Sequence, residues 1–137
     1  MHQALNAHSE LIKNKNHGTL TVEKVTSIYN GDTFRANIAG LHSLIGESIS
    51  IRVAGVGTPE MRGKRKQEKD LARQAKQVTV EALRSAKVIE LRNTKRGKYF
   101  RIVADVYVDD KNLTDILISS GLGVVYESGT KAKDWCG

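Results

Sequence analysis

The 137-residue chain has one cysteine, one proline and few aromatic side chains, 5% in all. The single thiol, Cys136, lies beside the C-terminus and excludes any intrachain disulfide. Scarce aromatics leave Ile, Val, Leu and Ala to fill the core. The four histidines, His2, His8, His17 and His42, are scattered, and no pair has metal-ligand spacing. No apolar run approaches the length needed to cross a bilayer, so no membrane span is expected. The N-terminal stretch MHQALNAHSELIKNKNHG lacks the apolar centre of a signal peptide. It reads equally as a cytoplasmic start or as the start of an exported protein whose leader has been removed. No internal repeat or low-complexity segment is present.

What the chain does have is positive charge. Lys and Arg number 22 against 15 Asp and Glu, a net of +7. That balance favours a polyanionic partner, nucleic acid first and an acidic membrane surface second, with plain solubility as the simplest alternative. The length bounds one domain with one modest core. Residues 1–17 are expected to form a flexible N-terminal segment, and 18–137 a single domain. No obligate protein partner is evident.

The most informative stretch is ESISIRVAGVGTPEMRGKRK, residues 47–66. Ile49, Ile51 and Val53 alternate with Ser50 and Arg52, the period of a half-buried strand, which puts Arg52 on the face opposite the isoleucines. Glu60 follows Thr58-Pro59, where the fixed proline angle can aim a carboxylate. An arginine fork that grips phosphate oxygens and a glutamate that takes a proton from water suit work on a phosphate. Such a pair also arises as a surface salt bridge, so the remaining residues decide.

Residues 19–29 read as a strand with Leu20, Val22, Val25 and Ile28 inward and a bulge near Lys24. Asn30-Gly31-Asp32 predicts a tight primed hairpin turn. Phe34, Ala36 and Ile38 share one face of the next strand; 40–46 reads as a loop and 48–56 as a strand. Residues 62–66 are a basic run. Leu71, Ala75, Val78, Ala82 and Ala86 form an apolar stripe, which predicts a helix over 67–86. A strand over 87–92 and a basic turn over 93–98 follow. In 99–108, Phe100, Ile102, Ala104, Val106 and Val108 alternate with Tyr99, Arg101, Val103, Asp105 and Tyr107. After an Asp109-Asp110 turn, a short helix starts at an Asn112 cap and stops at Gly121. Residues 124–126 are extended. This order predicts an α+β fold, mainly β: a five-stranded OB-fold barrel with a long helix between strands 3 and 4 and a shorter one after strand 5.

The succession NGDT (30–33), RVAGVGTPE (52–60), KYFR (98–101) and G-L-x-x-V-Y (121–126) resembles the staphylococcal, or micrococcal, nuclease family. The resemblance covers roughly residues 19–126, and the spacing from Arg52 to Glu60 matches. It implies an OB barrel and calcium-dependent hydrolysis of DNA and RNA phosphodiesters. Carried over, it makes Arg52 and Arg101 the clamps on the scissile phosphate and Glu60 the general base for the attacking water. Asp32 becomes a calcium-binding carboxylate and Thr58 a backbone-carbonyl ligand. Tyr99 and Tyr126 would stack on or hydrogen-bond the nucleotide, and Lys98 would contact a neighbouring phosphate. The implied products carry a 3′-phosphate and a 5′-hydroxyl.

Three departures from the family pattern matter. Gly57 stands where D-T-P-E has aspartate, which removes a metal carboxylate and predicts a weak, water-rich calcium site or another metal. Asn30 replaces a supporting aspartate, and Phe100 replaces a glycine beside the clamping arginine. The main expectation is therefore a metal-dependent nuclease of the thermonuclease type. A catalytically weakened OB-fold nucleic-acid-binding module is the alternative, and a protein-interaction barrel the third reading. Secreted or periplasmic location is favoured by the resemblance alone.

Overall fold

Alternation of apolar and polar residues builds five strands that close on themselves. The computed structural model describes residues 17–60 and 65–126. In chain order these contain β1 (Leu20–Asn30), β2 (Thr33–Ile38), α1 (Ser43–Gly46), β3 (Ile49–Val53), β4 (Val56–Gly57), α2 (Lys66–Ser85), β5 (Ile89–Arg96), a 3-10 turn (Lys98–Phe100), β6 (Ile102–Val108), β7 (Lys111–Asn112), α3 (Leu113–Ser119) and β8 (Val124–Val125). The ladder runs β3-β2-β1-β5-β6, and a parallel β3–β6 pairing closes it into a barrel. This is the five-stranded α+β OB arrangement. A closed ladder has no free edges, which suits a chain with a small core.

The inward positions are those the alternation selects. Phe34, Ala36, Ile51, Val53, Leu91, Ala104 and Val106 are fully buried. Leu113 and Leu117 of α3 join the same cluster. Asn112 caps α3 by accepting a hydrogen bond from the Thr114 amide at 2.8 Å, and Gly121 ends it at φ +79°. In β1 the ladder to β2 slips between Val22 and Lys24 and twice more before Asn30, so the strand curves as barrel closure requires.

Several local expectations are corrected. The β1–β2 loop is Gly31-Asp32, not Asn30-Gly31, and neither residue has a positive φ, so the turn is not a primed one. Glycine is needed at 31 for space: a Cβ there would lie 2.9 Å from Thr58 Cγ2 and 3.1 Å from Ala75 Cβ. The primed turn is instead Asp109-Asp110, with φ of +49° and +68°. Residues 43–46 form a helical turn capped by His42, too short to show a helical period. The strand over 48–56 breaks at Ala54-Gly55, where Gly55 has φ +81°.

Helix α2 buries Ala72, Ala75, Thr79 and Leu83, while Val78, Ala82 and Ala86 of the expected stripe pack against the core only partly buried; Thr79 donates its hydroxyl to the Gly31 carbonyl. Strand β5 runs through the expected basic turn to Arg96. Thr94 draws it inward by donating both its amide and its hydroxyl to the Gly18 carbonyl. Phe100 is not on the core face: it lies in the 3-10 turn with φ +61°, 92% exposed.

Candidate active site

The site is built around Asp32, a buried carboxylate (3% exposed) in the β1–β2 loop. Its Oδ1 accepts from Thr33 Oγ1 at 3.0 Å. Its Oδ2 accepts from the Thr58 amide at 3.2 Å and from Thr58 Oγ1 at 3.1 Å. The Asp32 amide in turn donates to Asn30 Oδ1 at 3.1 Å, which locks the loop. The Asp32 carbonyl accepts from the Val53 amide at 2.9 Å, so the loop is tied to the end of β3. One side chain thus fastens two segments far apart in sequence.

Arg52 projects from β3 on the outward face, between Thr33 of β2 and Val103 of β6. Its Nη2 lies 3.7 Å from Asp32 Oδ2, and its Nη1 donates to the Val53 carbonyl at 2.5 Å. The Tyr126 ring covers the guanidinium, 5.2 Å from Cζ to centroid. Tyr126 is itself held by its amide, which donates to the Gly55 carbonyl at 3.0 Å. The guanidinium is thus fixed by a carboxylate, a carbonyl and a ring.

Thr58 and Pro59 are both fully buried, and Glu60 emerges exposed directly after them. The proline therefore acts as an anchor packed into the fold, joined directly to the Thr58 that bonds Asp32. Arg101 is extended (φ −83°, ψ 144°) and half-buried, just ahead of β6. The β3–β6 register pairs Ile51 with Ile102 and Arg52 with Val103, which puts Arg101 one pleat from Arg52's partner on the outward face. Lys98 opens the 3-10 turn, exposed, and its carbonyl accepts from the Arg101 amide at 3.2 Å.

Asp32 thus contacts Arg52 and Thr58, and Arg52 contacts Tyr126; Glu60 follows Thr58-Pro59 in the chain, and Lys98 and Arg101 lie on the segment that leads into β6. The Tyr99 side chain, residues 62–64 of the basic run at 62–66 and Cys136 lie outside the described residues. Sequence reasoning missed Thr79. Its buried Oγ1 donates to the Gly31 carbonyl at 2.7 Å and steadies the Asp32 loop from α2. A lone threonine on an apolar helix face was the signal, since a buried hydroxyl needs a partner.

The donor set bears on calcium. Among the described residues bonded to one another here Asp32 supplies the carboxylate, position 57 has no side chain, and both Asp32 oxygens already accept from protein donors. Among the described residues no group of three or more His, Cys, Asp or Glu could hold a metal ion. Calcium takes six to eight oxygens, so Asp32 and the Thr58 carbonyl would supply a minority and water the rest. The residues fit only the weak, water-rich site that Gly57 predicts.

Comparison with known proteins adds an independent line. The family model described as staphylococcal nuclease homologue matches residues 50–135, a span that includes Arg52, Thr58, Glu60, Arg101 and Tyr126. A protein named as a probable endonuclease of Schizosaccharomyces pombe is 32% identical over 128 residues, covering 75% of this chain and 54% of its own length. The chain thus spans about half the length of that curated relative.

Proposed function

Because the chain belongs to the staphylococcal nuclease family and is similar to a protein named as a probable endonuclease, we propose that residues 18–137 form one domain that hydrolyses phosphodiester bonds in DNA, RNA or both. One observation carries this reading. The buried Asp32 carboxylate fastens both the Thr58 that leads to Glu60 and the outward-facing Arg52. A structural ion pair has no need of a second arginine just ahead of the neighbouring strand, a packed proline ahead of an exposed glutamate, and an aromatic lid on the guanidinium.

In the proposed reaction Arg52 and Arg101 bind the scissile phosphate and neutralise charge that grows on its oxygens as phosphorus becomes five-coordinate. Glu60 takes a proton from the attacking water. The water oxygen bonds to phosphorus, the bond to the 5′-oxygen breaks, and that oxygen takes a proton from solvent and leaves as a 5′-hydroxyl. The other fragment keeps a 3′-phosphate. Tyr126 holds Arg52 and offers a ring edge to the nucleotide, joined by Tyr99 and Lys98 along the strand. Calcium, held by Asp32 and the Thr58 carbonyl, would add positive charge beside the phosphate.

Cleavage of plasmid and single-stranded DNA, with calcium and with chelator, tests the reading. Cleavage that Glu60→Gln abolishes supports it, and Gly57→Asp should raise both calcium affinity and rate. An alternative function is favoured by the occupied Asp32 oxygens: an OB-fold module that binds nucleic acid with little catalysis. Tight, salt-sensitive binding with no cleavage under any divalent ion would select it.

A further inference from the structure

We propose that Phe100 is a base-stacking residue, and that the groove beside it holds unpaired nucleotides next to the phosphate gripped by Arg101. This rests on the nuclease reading and adds to it a subsite for the bases that neighbour the bound phosphate.

The first observation is the state of Phe100 itself. A large aromatic at φ +61° occupies backbone space that such residues rarely enter, and the fold gives it nothing in return: the ring is 92% exposed. Sequence alternation would put it in the core, yet the 3-10 turn swings it out. A strained residue that presents an apolar ring to water does no work for folding, which points to a ligand.

The second observation is the surface around it. Phe100 borders a groove of about 600 Å³ whose apolar floor includes Leu41, Leu44 and Ile45. Leu44 is 88% and Ile45 63% exposed, so this is an open apolar face on a strongly basic protein. Lys95 and Arg96 stand on its rim, and Arg101 lines it as well. Flat apolar contacts beside cations are what a nucleic acid strand requires, bases on the rings and phosphates on the charges. Arg101 belongs to both this groove and the proposed phosphate clamp. A strand held at Arg101 therefore continues over Phe100. A duplex keeps its base faces stacked inside and gains nothing from the ring. An anionic membrane surface is the competing occupant, but Arg101, a residue of the proposed phosphate clamp, lines the groove beside Phe100, which favours the strand.

The test compares wild type with Phe100→Gly and Phe100→Tyr, in chelator, using fluorescein-labelled oligothymidylate, the same oligomer with one abasic position, and a duplex of equal length. Glycine accepts the left-handed backbone, so Phe100→Gly removes the ring without adding strain. We expect single-strand affinity to fall at least about fivefold in Phe100→Gly, to be restored by Phe100→Tyr, and duplex affinity to be unchanged. An abasic position should weaken wild type and leave Phe100→Gly unaffected. Equal single-strand affinity in wild type and Phe100→Gly overturns the proposal while leaving the nuclease reading intact. Binding to phosphatidylserine vesicles that Phe100→Gly abolishes, with oligonucleotide affinity unmoved, overturns it in favour of a membrane contact. A folded wild type that binds none of the nucleic acids overturns both.

Discussion

Asparagine at position 32 separates two roles for a buried carboxylate. If Asp32 is a structural acceptor, its charge stabilises the metal-free fold; if it is held in reserve for a cation, its charge is a burden without one. The substitution keeps the shape. An amide oxygen rotated into the Oδ2 position can accept from Thr58 as before, and the Thr33 hydroxyl can reverse and accept from the amide. What disappears is the charge on three hydrogen bonds and the counter-ion 3.7 Å from Arg52. A bond to a charged group contributes about 1.5–3 kcal/mol against about 0.5–1.5 for a neutral one, so three bonds lose roughly 3 kcal/mol. The neutral side chain no longer bears the cost of leaving water, which offsets part of that. A net loss of about 2 kcal/mol is expected. With a urea slope of about 2 kcal/mol/M, the unfolding midpoint in chelator should fall by about 1 M. Asp32→Asn as stable as wild type, or more so, would refute the structural role. In calcium the wild-type midpoint should rise with concentration as mass action requires, and that of Asp32→Asn should stay flat.

Two further outcomes are expected. Thr79→Val leaves the buried Gly31 carbonyl without its donor and should cost about 1–3 kcal/mol in urea unfolding, with cleavage reduced because the Asp32 loop loses its support. The Val88 and then the Lys87 amides donate to the Asp109 carboxyl and hold it below the usual aspartate range. Its contribution is therefore complete above the unfolded value of about 3.9 and is lost as pH falls through the folded one. Wild type should exceed Asp109→Asn in stability at pH 6, and the difference should close on acidification below about pH 4.

Features governed by local spacing could be read from the chain. Ile51 and Val53 are buried with Arg52 between them, and the Asn112 cap and Gly121 stop are where short-range rules put them. Features set by long-range contact could not. Thr79 looks out of place on its helix until the Gly31 carbonyl appears opposite. Residues 93–96 read as a basic turn because their charges face water, but Thr94 underneath is held by Gly18. Phe100 was assigned inward by alternation, which carries no information about the turn preceding β6. The resemblance supplied the roles of Glu60 and Arg101, which parity and turn chemistry alone left equal to any surface pair.

The two arginines stand on either side of the barrel's closing seam, one within β3 and one just ahead of β6, roughly fifty residues apart in the chain. Neither hairpin alone brings them together. Contacts of such long range form only after the entropy of the intervening loop has been overcome, which places them late in folding. A nascent or clipped chain lacking β6 could hold its first three strands in register and still have half of the proposed phosphate grip. Turnover would then report an intact seam more sharply than any spectroscopic measure of strand content.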